Sequence, residues 1–97
     1  MLQTYGILFE FMEVLGKKWA VPVLLFLFLY EETTFTAIKK KLKITSRALS
    51  KKLKLLQTLG LIEKTILDSS GKVCYTLSEK GKEISQILLG FAASIHK

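Results

Sequence analysis

Residues 35–59 read FTAIKKKLKITSRALSKKLKLLQTL, and they predict two helices separated by a short break at Lys43 and Ile44. The second helix is expected to begin with Thr45 or Ser46 as its N-cap. A hydroxyl at that position accepts a hydrogen bond from a backbone N–H that has no partner within the helix. The rest of the chain is interpreted from this helix pair outward.

The second predicted helix has two different faces. At about 100° per residue its leucines collect on one side, and they are Leu49, Leu53 and Leu56. The opposite side offers hydrogen-bond donors and no acid, and it carries Arg47, Ser50, Lys51 and Lys54. A helix pair whose second member buries an apolar face and presents a basic stripe favours a helix-turn-helix, which places its second helix in the DNA major groove.

The charge of the chain is concentrated on this helix pair. The 97 residues, enough for one domain, carry a net charge of +7. Eight of the fifteen Lys and Arg residues lie within 39–54, and no Asp or Glu occurs from 33 through 62. A one-sided positive field attracts a polyanion, so we expect a nucleic-acid partner. The alternative is an ordinary lysine-rich helix face in contact with water.

Several other classes of protein are disfavoured. The single cysteine, Cys74, allows no internal disulfide. The N-terminal residues show no secretory signal, and the apolar run 19–30 is shorter than the roughly 20 residues that span a bilayer. We expect that run to lie in a fully buried helix, from about Lys17 to Tyr30, of a cytoplasmic protein without membrane association.

Catalytic chemistry also has little support in the sequence. His96 is the only histidine, and the chain has no Cys/His metal spacing and no glycine-rich phosphate loop. We therefore predict no catalytic residue, no metal site and no cofactor.

The segments next to the helix pair are expected to complete a small domain. Residues 33–35 predict a short extended piece, and Thr36 is expected to cap a helix over 37–42. Gly60 predicts a left-handed end to the second helix. Residues 61–66 and 72–77 alternate as strands around the turn at 68–71, which predicts a β-hairpin over 61–77.

A hairpin directly behind a DNA-reading helix is a wing. Its tip, residues 66–73, carries Lys72, which suits contact with the phosphate backbone or the minor groove. The alternative is a hairpin that only closes the core, and Tyr75 and Leu77 are expected to contribute to that role.

The two terminal segments predict helices with apolar faces. Ser78 is expected to cap the C-terminal helix, 78–96, and the N-terminal helix spans 1–15. We predict that both pair with a second copy of the chain, the alternative being that they dock on their own core. The candidate dimerisation residues are Leu8, Met12, Ile84, Leu88, Phe91 and Ile95.

Five motifs in this order carry a family resemblance: GKKW at 16–19, TF at 34–35, ITSRALSKKLKLL at 44–56, GLI at 60–62 and VCYTLSEKG at 73–81. From about Leu15 onward the chain resembles the HxlR-type transcriptional regulators, a branch of the MarR-like winged-helix group. The resemblance implies a mainly α fold with a small β-hairpin (α+β), a winged helix-turn-helix with extra terminal helices. It also implies a homodimer that binds a pseudo-palindromic operator, with the helix at 45–59 in the major groove.

Members of that family often carry an N-terminal cysteine that senses electrophiles or oxidants. This chain has its cysteine at Cys74 instead, in the second wing strand. We expect Cys74 to be a passive strand residue, with a thiol switch as the minor alternative.

The predicted partner is double-stranded DNA. Arg47 is the predicted base reader, because a guanidinium can bind guanine O6 and N7 together, and the lysines are chiefly phosphate contacts. The predicted DNA-binding residues are Lys39, Lys40, Lys43, Thr45, Ser46, Arg47, Ser50, Lys51, Lys54 and Lys72.

Two other functions stay open. Arg47 is the only arginine among the fifteen basic residues, which favours a sequence-indifferent, chromatin-like DNA-binding protein, because lysine is the poorer base reader. The second alternative is a winged helix that binds other proteins. A small-molecule effector would bind in a pocket between the terminal helices and the core helix, and the sequence does not identify the ligand.

Overall fold

A computed structural model describes residues 2–66 and 71–96 of the chain. It contains five helices, α1 (Leu2–Leu15), α2 (Ala20–Tyr30), α3 (Phe35–Leu42), α4 (Ser46–Thr58) and α5 (Glu79–Ile95), and three strands, β1 (Thr33–Thr34), β2 (Ile62–Ile66) and β3 (Val73–Leu77). The strands form one antiparallel sheet in the order β1-β3-β2. This is a mainly α winged helix-turn-helix, which confirms the predicted fold class.

The core forms where α2 crosses behind the helix-turn-helix. Leu24 of α2, Leu49 of α4 and Leu61 before β2 are all 0% exposed. Burying each such side chain contributes about 1.5–3 kcal/mol. The apolar face of α4 is therefore held against α2, which fixes the direction of its other face.

Helix α2 ends at Tyr30 as predicted, but it differs from its prediction in where it begins and in how much of it is buried. It begins at Ala20 instead of Lys17, because Trp19 has φ 76°, a left-handed conformation that cannot continue a right-handed helix. It is also not fully buried, since Leu29 is 70% and Tyr30 53% exposed. The apolar run thus ends on the surface of the described chain.

Helix α3 begins two residues earlier than predicted. Thr34, in extended conformation, is the N-cap, and its Oγ1 accepts from the N–H of Ala37 at 3.1 Å. The predicted cap, Thr36, is an exposed residue inside the helix. Phe35 is the first helical residue and is half-buried against the core.

The end of α4 and the start of α5 are joined through one small group of residues, Gly60, Leu61, Ser78 and Gly81, which we call the junction. Gly60, at φ +75°, donates to the carbonyl of Gln57 at 2.9 Å, and Leu61 donates to that of Leu56 at 3.0 Å. These two bonds form the Schellman ending that the glycine predicted.

Ser78 then connects the junction to α5. Its hydroxyl donates to the carbonyl of Gly60 at 2.5 Å and accepts from the N–H of Gly81 at 3.0 Å, while its own N–H donates to the carbonyl of Leu61 at 3.0 Å. A Cβ on Gly81 would overlap the carbonyl of Leu61, so glycine alone permits this close approach. Ser78 is the predicted cap of α5, and the structure confirms it.

The wing strands are slightly shorter than predicted, Ile62–Ile66 and Val73–Leu77. Of the predicted turn at 68–71, only Gly71, at φ +78°, lies within the described residues. Tyr75 and Leu77 are 8% and 6% exposed, so the hairpin does close the core on one side.

The terminal helices carry most of the exposed apolar side chains. An apolar groove of about 420 Å³ lies between α1 and α5 and is lined by residues from both. The large exposed apolar residues of these helices are Tyr5, Ile7, Leu8, Phe9, Met12, Ile87, Leu89, Phe91 and Ile95. Within the described ranges, no helix combines the length and the apolar character that crossing a membrane requires.

Candidate nucleic-acid interface

The turn between α3 and α4 brings the two helices together within three residues. Lys43 takes a left-handed conformation at φ 55°, and its N–H donates to the carbonyl of Lys39. Ile44 follows and is 4% exposed, so it anchors the turn in the core. Thr45 then caps α4, its Oγ1 accepting from the N–H of Ala48 at 3.2 Å. The predicted break and the predicted N-cap are both confirmed.

Helix α4 separates its two faces sharply. Leu49, Leu53 and Leu56 are 0%, 2% and 0% exposed. The side opposite them is open to solvent along its length, and its exposed residues Arg47, Ser50, Lys51 and Lys54 are called the basic ridge here. No part of the described chain covers this ridge, so a partner as large as a duplex can reach it.

The ridge continues onto the neighbouring helix and turn. The remaining predicted contacts of this region are exposed as well: Lys39, Lys40, Lys43, Thr45 and Ser46. Within the described part of the chain, none of these lysines forms an ion pair. The ion pair found there joins Lys82 and Glu79 of α5, at 3.6 Å. Since the segment 33–62 has no acid, its positive field is not neutralised locally.

Lys72 lies apart from the ridge, on the wing. It is exposed and directly precedes β3. The structure therefore places this predicted contact on a separate element from α4.

Two other residues of the wing are buried. Cys74 is a free thiol with 3% of its surface exposed, which fits the expectation of a passive strand residue. Tyr75 is beside it, and burial raises the pKa of its phenol above the ordinary 10.0.

Sequence reasoning missed one feature beside the ridge. Lys17, from the turn between α1 and α2, faces the flank of α4, and together they form a cleft of about 500 Å³, called the lysine cleft here. Its lining is Lys17, Lys51, Lys52, Lys54, Leu55 and Thr58. The angular pattern of α4 contains the signal for Lys52 and Thr58, but Lys17 is brought there only by tertiary packing.

The predicted dimerisation residues fall into two groups. Leu8, Met12, Ile84 and Leu88 all line the groove between α1 and α5. Phe91 and Ile95 lie further along α5, outside that lining, and are 64% and 66% exposed. The structure thus gathers four of the six at one place.

The described residues contain no cluster of His, Cys, Asp and Glu side chains that could hold a metal ion.

The fold of the chain is similar to those of several solved proteins. The reduced form of the transcriptional regulator YodB from B. subtilis is 27% identical with a TM-score of 0.77, covering 84% of this chain and 81% of YodB. Lactococcus lactis ZitR is 26% identical with a TM-score of 0.75, covering 96% of this chain and 70% of ZitR. Streptococcus pneumoniae FabT, solved in complex with DNA, is 17% identical with a TM-score of 0.73, covering 97% of this chain and 71% of FabT. At that identity the similarity to FabT shows only that the two share a fold.

No curated protein matches the chain. The family model of the HxlR-like helix-turn-helix matches residues 14–96, which includes every element from α2 to α5. The similar structures thus include a transcriptional regulator, and the chain itself belongs to the HxlR-like helix-turn-helix family.

Proposed function

We propose that the protein is a transcriptional regulator that binds a specific sequence of double-stranded DNA as a homodimer on a pseudo-palindromic operator. The observation that carries the proposal is the basic ridge of α4, exposed along its length and opposite three leucines that are at most 2% exposed. Membership of a helix-turn-helix family supports it. So does the DNA complex of FabT, which has the same fold.

In this proposal α4 lies in the major groove, which at about 12 Å wide admits one helix. Arg47 is in the first turn of α4, the part of a recognition helix that meets base edges, and it reads a guanine. Ser46, Ser50 and Lys51 are secondary base or phosphate contacts. Thr45 and Lys54, at the two ends of this surface, meet the backbone.

The other cations of the proposed interface act on phosphates. Lys39, Lys40 and Lys43 are exposed on α3 and on the turn before α4, where they can fix the position of the protein without reading sequence. Lys72 brings the wing to the flanking backbone or minor groove.

The homodimer in the proposal is supported by the apolar surface of α1 and α5. Large apolar side chains that are exposed together on one surface mark sites of interaction with proteins or ligands. A second copy seated on Leu8, Met12, Ile84 and Leu88, and against Phe91 and Ile95, would cover that surface. Two-fold symmetry would then present two α4 helices to half-sites about 34–36 Å apart.

An effector would bind in the groove between α1 and α5, where it would compete with the second copy for the same side chains. Unlike the pocket expected from the sequence, this groove has no lining residue from the core helix α2 in the described part of the chain. Its volume of about 420 Å³ lies within the roughly 300–1,000 Å³ of small-molecule sites. Its lining is almost wholly apolar, which favours an apolar ligand over a charged one.

A regulator of this kind acts where the DNA is, so the proposal includes the cytoplasmic location expected from the sequence.

A second candidate is a sequence-indifferent DNA-coating protein. It is favoured by the lysine-dominated interface, in which Arg47 is the only arginine. Both candidates use the same surface and differ only in discrimination between sequences.

Selection of bound duplexes from a random pool separates the candidates. The proposal expects enrichment of an inverted repeat whose half-sites are about one helical turn apart. Binding without enrichment supports the DNA-coating protein, and the absence of binding refutes both. Arg47→Ala is expected to reduce the preference for the selected operator over random DNA by about 1–3 kcal/mol. An equal loss on both DNAs would assign Arg47 to the phosphate backbone.

A further inference from the structure

The lysine cleft is a concentration of positive charge that the proposed contacts of the ridge do not explain. Four of its six lining residues are lysines. No Asp or Glu among the described residues lines the cleft. Lysines held close together repel one another, so such a site favours an anion between them. Lys17 and Lys52 belong to no contact assigned so far.

The position of Lys17 is fixed by its backbone. Its N–H donates to the carbonyl of Val14 at 3.1 Å, and its carbonyl accepts from the N–H of Ala20 at 3.1 Å. The next turn includes Trp19, which is half-buried against the core. These bonds hold the attachment point of the Lys17 side chain beside the flank of α4.

The cleft lies along one flank of the basic ridge. Lys51 and Lys54 belong to both, while Thr58 is one turn beyond Lys54 and Lys52 is about 100° around the helix from Lys51. When a helix occupies the major groove, its flanks face the two sugar-phosphate strands that border the groove. The flank with Lys17 and Lys52 therefore faces one of those strands.

We propose that the lysine cleft binds backbone phosphates of the DNA strand that borders the groove occupied by α4, with Lys17 and Lys52 as contacts additional to the ridge. This inference rests on the proposed function. The contacts are indifferent to sequence, so they raise affinity for every duplex and hold α4 at one depth in the groove. Cations that displace counterions from phosphates also steepen the salt dependence of binding.

The test compares Lys17→Gln, Lys52→Gln and the double variant with the wild type. Lys82→Gln is the charge control, because it removes the same charge from an exposed lysine that lines a different cavity. It also removes the exposed ion pair with Glu79, and exposed pairs of this kind contribute little to stability. Affinity for the selected operator and for random duplex is measured over a series of salt concentrations. Urea unfolding of each variant checks that the fold is intact.

The expected result is a slope of log K against log salt that becomes shallower by about 0.9 for each lysine removed from each bound protomer. Operator and random DNA should lose affinity by the same factor, and Lys82→Gln should leave the slope unchanged. A double variant with the wild-type slope, or one that changes no more than Lys82→Gln, overturns the inference while leaving the proposed function standing. A wild type that binds no duplex overturns both.

A further arm separates DNA phosphate from a free anion. Inorganic phosphate is titrated into the protein without DNA, for the wild type and the double variant. Saturable binding at low millimolar phosphate that needs Lys17 and Lys52 would assign the cleft to a free anion and overturn the DNA assignment. Absence of such binding, together with the changed salt slope, supports it.

Discussion

Replacing Ser78 by alanine tests the bonds that join α4 to α5. The substitution removes the N-cap acceptor for the N–H of Gly81 and the donor to the carbonyl of Gly60. Loss of a cap costs about 0.5–2 kcal/mol, and loss of a hydrogen bond to a backbone carbonyl about 0.5–1.5 kcal/mol. We therefore expect Ser78→Ala to lower the free energy of unfolding by about 1–3 kcal/mol.

Thr45→Ala is the matched control. Its hydroxyl also caps a helix by accepting from the N–H of Ala48, but within the described residues it makes no hydrogen bond to a distant part of the chain. Its loss is expected to cost only the cap, about 0.5–2 kcal/mol. The difference between the two variants measures the bond to Gly60.

The assay is urea unfolding followed by circular dichroism, with every variant at the same protein concentration because dimerisation would contribute to apparent stability. If Ser78→Ala costs no more than Thr45→Ala, the bond to Gly60 contributes nothing and the reasoning is refuted.

Three further predictions, two of them with a control variant, test packing and ionisation. Gly81→Ala should lower the free energy of unfolding by more than about 1 kcal/mol, because the added Cβ would overlap the carbonyl of Leu61. Gly90→Ala is the control, since a Cβ added there has no neighbouring atom within 4 Å, and it should be neutral or stabilising in the same urea assay. Leu53→Ala should cost about 2–5 kcal/mol in unfolding free energy, and a smaller loss would mean that α4 is poorly packed. Burial raises the pKa of Tyr75 above 10.0, so the unfolded chain ionises there first and stability falls as pH rises past that value. Tyr75→Phe should reduce this fall in alkaline unfolding, whereas Tyr5→Phe, at an exposed residue, should not.

Local chemistry made much of the fold predictable. Thr45 and Ser78 are followed by apolar periodicity of helical spacing, so a cap and a helix were readable together. Gly60 marks the end of α4 because few other residues accept a positive φ. The spacing of Leu49, Leu53 and Leu56 likewise determined which face of α4 is buried.

The remaining features depend on information that local patterns lack. Thr34 and Thr36 both carry a hydroxyl that could cap α3. The pairing of Thr34 with Cys74 across the sheet holds Thr34 in the extended conformation of an N-cap, and the sequence does not show that pairing. No sequence signal marks Trp19 for a left-handed conformation, which bulky residues rarely adopt. Lys17 reaches the flank of α4 only because α1 and α2 turn there, so the lysine cleft was invisible before the chain was folded.

Because the same four residues end one helix and start the next, the corner between α4 and α5 has little freedom to bend. In the proposed dimer, α4 and α5 of one protomer would move as a rigid body. A tilt of α5 relative to α5 of the other protomer would therefore turn α4 by the same angle. The spacing between the two DNA-reading helices would then follow the angle at which two copies meet, and Ser78 would be the residue through which a change at that contact reaches the operator.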